Sequence, residues 1–214
     1  MLQRTPEWFQ ARCGKVTASR VADVVAKTKT GWGASRANYM AELVAERLTD
    51  LPTDSFVSKP MQWGIDHEDE AIAAYEFHQD VTVEPVGFIQ HPKIAASGAS
   101  PDGLVFGPKT DGVQLLSLVE VKCPNTATHI ETLLGAPIDG CYITQVQWQM
   151  ACIGALWCDW CSYDPRMPAA LRLFVKRIPR DDKRIAELEA EVVKFLAELD
   201  AKVAALNGLL AKAA

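Results

Sequence analysis

The sequence predicts an α/β domain in which helices flank a central mixed β-sheet and a long C-terminal helix follows. Three observations predict this class. Apolar residues recur at helical spacing up to Asp80, the period changes to about two after Asp80, and helical spacing returns beyond Arg180. The 214 residues, 49% of them hydrophobic, are enough for one sizeable core, so we expect a single domain over residues 1–214.

Four helices are predicted in the N-terminal part. Thr5 is a residue type that caps helices and Pro6 suits the first helical position, so the first helix is expected to start there. A second helix is predicted from about Ser19 to Lys27, followed by the Gly-rich loop TKTGWGAS. The third is expected over SRANYMAELVAERLTD, and the fourth is expected to begin near Gln62.

The sequence after Asp80 predicts four short strands, two helices, two further strands and the tail helix. The four strands are expected over VTVEPVGFIQHP, KIAASGASP, DGLVFG and QLLSLVEVKCP. The helices TATHIETLLG and DGCYITQVQWQMACIGA follow, and then the strands LWCDWCSYDP and ALRLFVKRIPR. We interpret the apolar stripe of the tail as packing on the domain, with a partner-binding coiled coil as the alternative. The stripe consists of Ile185, Leu188, Val192, Leu196, Leu199, Val203 and Leu206.

Composition and hydropathy exclude several classes of protein. No apolar run approaches the length that spans a bilayer, and the segment MLQRTPEWFQAR lacks the pattern of a signal peptide. We therefore expect a cytoplasmic protein that does not bind membranes. The net charge of −5 argues against nonspecific coating of nucleic acid, although basic residues can still line one groove.

The six cysteines are expected to be small core residues rather than disulfides, because a cytoplasm keeps thiols reduced. Cys152, Cys158 and Cys161 form one suggestive cluster, for which a metal or iron–sulfur site is the alternative. If LWCDWCSY is a strand, Cys158 and Cys161 face opposite sides, which disfavours a shared site.

The segment SLVEVKCP carries charges inside an apolar strand. Val119 and Val121 are expected on its buried face, and Glu120 and Lys122 then project from the opposite face. A buried ion without a partner costs several kcal/mol, and a Glu–Lys pair is a poor way to gain stability. We therefore expect a divalent cation as the partner of Glu120.

A second carboxylate is expected beside Glu120. Asp102 lies in the segment SPDG, where Pro101 and Gly103 favour a turn, and a turn alone is the alternative interpretation. If the strands of Asp102 and Glu120 pair as a hairpin, their carboxylates meet at one point. The combination of an Asp with a Glu-x-Lys eighteen positions later is more specific than either part.

This combination is the sequence form of the PD-(D/E)xK nuclease motif. The chain resembles bacteriophage lambda exonuclease and the YqaJ-type viral recombination exonucleases, which implies a restriction-endonuclease-like core. Six segments carry the resemblance in the family's order. They are WFQARCGKVTAS (Trp8 to Ser19), QWGIDHEDEAIAAYE (Gln62 to Glu76), SPDG, VEVKCP, ITQVQWQM (Ile143 to Met150) and YDPRM (Tyr163 to Met167).

The resemblance implies a metal site. Asp102 and Glu120 are expected to bind one or two Mg²⁺ ions, with the carbonyl of Val121 as a further ligand and Mn²⁺ as an alternative metal. Glu68 matches the family's helix-borne acidic residue, which helps to hold the second ion or its water. A solvated acidic turn is the alternative for DHEDE, and Glu70 is expected to point elsewhere.

The resemblance also assigns roles at the reacting phosphate. Lys122 is expected to position and activate the attacking water, because the pKa of a lysine can fall when it is desolvated near cations. Gln145 matches the glutamine that orients the water or the scissile phosphate, and Gln147 is the less favoured neighbour.

A pocket for a terminal 5′-phosphate is implied in the N-terminal segment. Arg12 matches the arginine that binds this phosphate, and a guanidinium can do so bidentately. Thr17 and Ser19 are expected to add hydroxyl and N–H groups at a helix start. An ordinary surface arginine is the alternative for Arg12.

The remaining acidic and imidazole groups are not expected to act. Asp66 and Asp69 are expected to be solvated. The four histidines lack the close spacing of a zinc site, so we expect them on the surface or in loops. They are His67, His78, His91 and His129.

The resemblance implies a Mg²⁺-dependent, processive 5′→3′ exonuclease on double-stranded DNA. It would release 5′-mononucleotides and leave 3′ single-stranded tails for recombination by strand annealing, in a bacterial cytoplasm and encoded by a phage or prophage. A ring-shaped homotrimer around DNA and a single-strand annealing protein as partner are implied too. The alternatives are another PD-(D/E)xK endonuclease or repair nuclease, and a non-catalytic module that binds DNA ends.

Overall fold

A five-stranded mixed sheet forms the centre of the computed structural model, which describes residues 2–29, 31–53, 57–110 and 113–213. Its strand order is β10-β9-β8-β7-β4, and all neighbours are antiparallel except β8 and β9. A smaller sheet has the order β1-β6-β5, and β2 pairs with β3. The strands are β1 (Val16–Thr17), β2 (Lys27–Thr28), β3 (Gly31–Trp32), β4 (Val83–Glu84), β5 (Ile89–Gln90), β6 (Ser97–Ala99), β7 (Gly103–Thr110), β8 (Val113–Lys122), β9 (Trp157–Tyr163) and β10 (Leu173–Pro179).

Helices cover both faces of the central sheet. The parallel pair β8 and β9 requires a crossover connection, and two helices provide it. The α-helices of the described residues are α1 (Pro6–Arg12), α2 (Val21–Val24), α3 (Ala34–Thr49), α4 (Lys59–Gln79), α5 (Thr126–Leu133), α6 (Gly140–Ile153) and α7 (Asp182–Ala213). The predicted α/β class with its mixed sheet and long C-terminal helix is confirmed.

Strand β8 separates two apolar clusters because its side chains alternate between the faces of the sheet. Val119 and Val121 pack with Tyr75 of α4 on one face. Leu118 packs with Met150 of α6 on the other face, where Glu120 also lies.

Helix α6 has apolar contacts on two sides, because a third cluster lies between it, α2, α3 and α7. Trp148 packs there with Leu43 of α3 and Phe195 of α7. The stripe of α7 from Ile185 to Leu199 is buried, so packing on the domain is confirmed for this part, whereas Leu206 is 38% exposed.

Local signals explain most of the element boundaries. The side chain of Thr5 accepts a hydrogen bond from Trp8 N, which confirms the predicted cap of α1. Helix α4 begins earlier than predicted, since Ser58 caps it. The predicted second helix is a 3₁₀ turn over Ala18–Arg20 followed by the single turn α2, and the predicted Gly-rich loop contains the hairpin β2–β3.

Two predictions about buried groups need correction. His129 lies on α5 and is buried, rather than on the surface or in a loop, whereas His91 lies in a loop, as expected, but is buried. The ring of His129 lies 2.7 Å from Ser162 Oγ and 2.9 Å from the carbonyl oxygen of Leu171, so it joins α5 to the sheet. Cys141 is exposed rather than a core residue.

Cys152, Cys158 and Cys161 are buried, as predicted, whereas Cys13 and Cys123 are only partly buried. Cys158 and Cys161 face opposite sides of β9, and all six cysteines are free thiols. Burial raises the pKa of the Cys152 thiol, as expected for an inert core residue. Among the described helices, none is both long and apolar enough to cross a bilayer.

The segment YDPRM forms a turn built around a buried carboxylate. Asp164 is 0% exposed, and its carboxylate oxygens accept three hydrogen bonds from Arg166. The donors are the backbone N, Nε and Nη2 of Arg166, at 2.8–3.0 Å. The guanidinium of Arg166 lies 4.3 Å from the ring centre of Trp63 in α4. Burial alone would raise the pKa of Asp164, but the bonds from Arg166 and Thr126 outweigh it and lower the pKa to about 2.

We expect Asp164→Asn to lower the free energy of unfolding by about 2 kcal/mol at pH 7. Because the pKa of Asp164 is lower in the folded state, its stabilisation is present above pH 4 and is lost as the pH falls toward 2. Urea denaturation of both proteins at pH 7, 5, 4 and 3 measures this difference. Asp182→Asn on the exposed start of α7 is the control and should change little. A difference that is independent of pH would contradict the assignment.

Candidate active site

The pairing of β7 with β8 brings two carboxylates together. Gly103 lies opposite Val119, so Asp102 lies beside Glu120 just before β7 begins. The Oδ2 atom of Asp102 accepts a hydrogen bond of 2.7 Å from the backbone N–H of Val121. The predicted hairpin is therefore confirmed.

Glu120 is 1% exposed, and both of its carboxylate oxygens accept hydrogen bonds. Its Oε1 atom accepts short hydrogen bonds from Lys122 Nζ and Gln145 Nε2. Its Oε2 atom accepts a 2.7 Å hydrogen bond from Gln149 Nε2. The structure thus places Lys122 and Gln145 at the site, as predicted.

Gln149 is a site residue that the sequence analysis missed. The signal was present, because Gln145 and Gln149 are four positions apart on one face of α6. Gln147 faces away, where it donates to the Pro179 carbonyl oxygen and accepts from Asp181 N. Gln147 therefore fixes the start of α7, which agrees with its lower rank in the prediction.

Glu68 of α4 also faces the carboxylate pair. Together with Asp102 it lines a groove beside the N-terminal segment, and it forms an ion pair with Arg4. The sequence analysis did not identify Arg4. Gln3, which precedes Arg4, donates to the carbonyl oxygens of Val86 and Pro101 and holds the N-terminal segment against this groove.

The neighbours of Glu68 on α4 have other partners. Glu70 accepts a hydrogen bond from Tyr163 and lies 3.4 Å from the ring nitrogen of His67, so it points elsewhere, as predicted. Asp66 accepts a hydrogen bond from Gln62.

The site concentrates negative charge. Burial raises the pKa of Asp102 well above its usual range, and the charges of Glu120 and Glu68 raise it further. Burial alone would lower the pKa of Lys122, but the charges of Glu120 and Asp102 outweigh it, so the pKa is raised. Beside these carboxylates the side chain of Lys122 is an ammonium group, and the predicted fall of its pKa near cations stays a prediction.

The residues fit a divalent cation in their chemistry. Glu68, Asp102, Glu120 and the Val121 carbonyl offer the hard oxygen ligands that Mg²⁺ prefers. A cation would offset the repulsion that raises the pKa of Asp102. As the described side chains lie, however, no three His, Cys, Asp or Glu residues surround a common point. The oxygens of Glu120 already accept hydrogen bonds from side-chain donors, and the carboxylate of Glu68 is paired with Arg4.

The cleft at the carboxylates and a second pocket share a lining residue. The cleft, of about 430 Å³, is lined by Glu68, Asp102, Lys122, Tyr142 and Met61. The second pocket, of about 290 Å³, is also lined by Met61. Its lining includes all three residues predicted for the 5′-phosphate, Arg12, Thr17 and Ser19.

Arg12 is held between an aromatic ring and the segment of Asp102. Its guanidinium lies 4.1 Å from the ring centre of Trp8. Arg12 Nη1 and Trp8 Nε1 both donate to Ser100 Oγ, at 3.2 and 2.9 Å, two positions before Asp102. Burial lowers the pKa of Arg12 to about 10, so it remains charged at neutral pH.

The helix start beside Arg12 differs from the prediction. The backbone N–H of Thr17 donates to the hydroxyl of Tyr39 at 3.1 Å, so it is not free for a phosphate. The hydroxyl groups of Thr17 and Ser19 remain at the pocket.

The fold and the paired carboxylates beside a lysine define a nuclease of the PD-(D/E)xK class. The YqaJ-like viral recombinase domain matches residues 7–156, and the chain therefore belongs to this family.

Solved structures agree with this assignment. The chain is 50% identical to LHK-Exo, an alkaline exonuclease from Laribacter hongkongensis, with a TM-score of 0.87 over 98% of this chain and 100% of that chain. A structure of LHK-Exo in complex with dAMP has the same sequence identity, TM-score and coverage. The fold is shared by a phage related exonuclease from Haemophilus somnus 129PT, which is 14% identical to this chain. The match has a TM-score of 0.69 and covers 90% of this chain and 96% of that chain. No curated protein matches the chain in sequence.

Proposed function

We propose that the chain is a Mg²⁺-dependent exonuclease that digests double-stranded DNA from its 5′ ends. It releases 5′-mononucleotides and leaves 3′ single-stranded tails. The observation that carries this proposal is the hydrogen bond from Arg12 to Ser100, two positions before Asp102, together with Met61, which lines both pockets. A 5′-phosphate held by Arg12 leaves the first internucleotide phosphodiester to the carboxylate cleft.

The relative LHK-Exo supports the same product class. It has been crystallised with dAMP, a deoxynucleoside monophosphate. The chain covers all of that relative at 50% identity, so a site for a mononucleotide is a reasonable inference for this chain as well.

The side chains of the site have separate roles in this mechanism. A cation held by Asp102, Glu120, Glu68 and the Val121 carbonyl would lower the pKa of a water and stabilise the leaving 3′-oxygen. Lys122, as an ammonium group, donates hydrogen bonds to the attacking water or to a phosphate oxygen and stabilises negative charge there.

Two further side chains position the substrate. The amide of Gln145, which now donates to Glu120, can orient the same water or phosphate. Arg12 binds the terminal phosphate through charge-assisted hydrogen bonds.

We extend the proposal to assembly and partners on the basis of the resemblance to lambda-type enzymes. A ring-shaped homotrimer would explain how a chain with a net charge of −5 acts processively on DNA, since only the channel must be basic. A single-strand annealing protein in a bacterial cytoplasm would receive the 3′ tails. Mn²⁺ should replace Mg²⁺, because both prefer oxygen ligands.

Labelled duplexes test the polarity and the role of Arg12 together. We expect wild type to release mononucleotides from linear duplexes with 5′-phosphate ends. Release from 5′-hydroxyl ends should be slower by at least about tenfold. Arg12→Gln should abolish this preference, because the neutral side chain loses its charge-assisted bonds.

Arg184→Gln, on the exposed face of α7, removes the same charge and should keep the preference. Cutting of closed circular duplex would contradict the proposal and favour the endonuclease alternative. Binding of ends without any release of nucleotides would favour the non-catalytic alternative.

A further inference from the structure

Helix α6 carries three glutamines with different partners. Gln145 is partly exposed and donates to Glu120 Oε1, and Gln147 binds the backbone at the start of α7. Gln149 is 0% exposed and donates to Glu120 Oε2 at 2.7 Å. It is therefore a polar side chain placed inside the apolar layer between α6 and the sheet.

Gln149 keeps an unsatisfied group in this position. Its Oε1 atom is buried and has no hydrogen-bond partner in the part of the chain that the structure describes. A buried carbonyl oxygen without a partner destabilises the fold. An apolar side chain of similar volume would avoid this cost, so the N–H donor to Glu120 requires an explanation beyond packing.

The two oxygens of Glu120 lie in different surroundings. Oε1 accepts hydrogen bonds from Lys122, which lines the cleft, and from Gln145, which is partly exposed. Oε2 faces the interior, where Gln149 donates to it. A water molecule or a substrate can displace the donors at the cleft, whereas the donor inside the fold is protected from exchange.

We propose that Gln149 is a positioning residue for metal binding. By holding Oε2 in the interior, it keeps Oε1 of Glu120 turned toward Lys122 and the cleft. The role deepens the proposed function and rests on its metal dependence. Partners of a metal ligand typically change metal affinity or activity by about 10–100-fold when they are removed.

The test compares Gln149→Met with Gln147→Met, since both replace a buried glutamine of α6 by an unbranched apolar side chain. Dissociation constants for Mn²⁺ are measured by electron paramagnetic resonance, and Tm is measured without metal. We expect Gln149→Met to weaken Mn²⁺ binding by about 10–100-fold. Gln147→Met should lower Tm, because it loses two bonds to the backbone, but should leave Mn²⁺ affinity unchanged.

A second variant protects the test against loss of folding. Gln149→Asn keeps an amide but is one methylene shorter, and it should also weaken Mn²⁺ binding. If wild type binds Mn²⁺ and both Gln149 variants bind it equally well, the positioning role is overturned and the proposed function stands. If Gln147→Met weakens binding as much as Gln149→Met, the effect is structural and the role is also overturned. If wild type binds no Mn²⁺, both proposals fall.

Discussion

Replacing Lys122 by alanine is expected to reduce phosphodiester cleavage by about 10³-fold while binding to DNA ends persists. The ammonium group of Lys122 is the cationic side chain bonded to Glu120, and the charges of Glu120 and Asp102 keep it protonated. Its loss removes a donor to the water or phosphate, whereas the Arg12 pocket remains. Single-turnover cleavage and fluorescence anisotropy without Mg²⁺ measure the two effects.

The same variant should also be less stable. Glu120 is buried, and removing its counter-charge costs roughly 3 kcal/mol in unfolding free energy. Lys122→Met keeps the aliphatic part of the side chain, so it separates the loss of charge from the loss of packing. Lys176→Ala on β10 is the matched control, because it removes an exposed lysine from the same sheet. Cleavage by Lys122→Ala at the wild-type rate would remove Lys122 from the mechanism.

The carboxylate pair could be predicted from the sequence because local signals determine it. Alternation along β8 places Glu120 and Lys122 on one face, and the antiparallel pairing of β7 with β8 places Asp102 beside Glu120. Caps and turns predicted most helices for the same reason. The hairpin β2–β3 was missed because its two strands are only two residues long each.

Contacts distant in sequence explain what could not be predicted. Arg4 and Glu68 are 64 positions apart, and only the path of the N-terminal segment, held by Gln3, brings them together. His129 was assigned to the surface because its partners, Ser162 and the carbonyl of Leu171, lie more than thirty positions away.

The pKa of Lys122 depends on which charges lie beside it. Glu120 and Asp102 raise this pKa, whereas a neighbouring cation would lower it. The residue types alone do not specify the balance, so the fall expected near cations stays a prediction.

Asp102→Asn is expected to abolish cleavage and, without metal, to make the protein more stable. Burial and the charges of Glu120 and Glu68 disfavour the Asp102 carboxylate, and a neutral amide removes that repulsion. The carbonyl oxygen of the asparagine can still accept the hydrogen bond from Val121 N. Cleavage should fall at least about 10³-fold, while the metal-free Tm should rise by roughly 2–4 °C, the shift that about 1 kcal/mol produces in a domain of this size.

Thermal unfolding with and without Mg²⁺ distinguishes this trade-off from a simple loss of structure. Ligand binding to the folded state raises Tm, so Mg²⁺ should stabilise wild type and should hardly affect Asp102→Asn. Asp66→Asn, at an exposed position of α4 where the carboxylate accepts a hydrogen bond from Gln62, makes the same chemical change and should retain both the cleavage and the response to Mg²⁺. If Mg²⁺ stabilises Asp102→Asn as strongly as wild type, Asp102 does not hold the cation. If the metal-free Tm falls instead, the Asp102 carboxylate stabilises the fold, and the repulsion inferred between Asp102 and Glu120 is wrong.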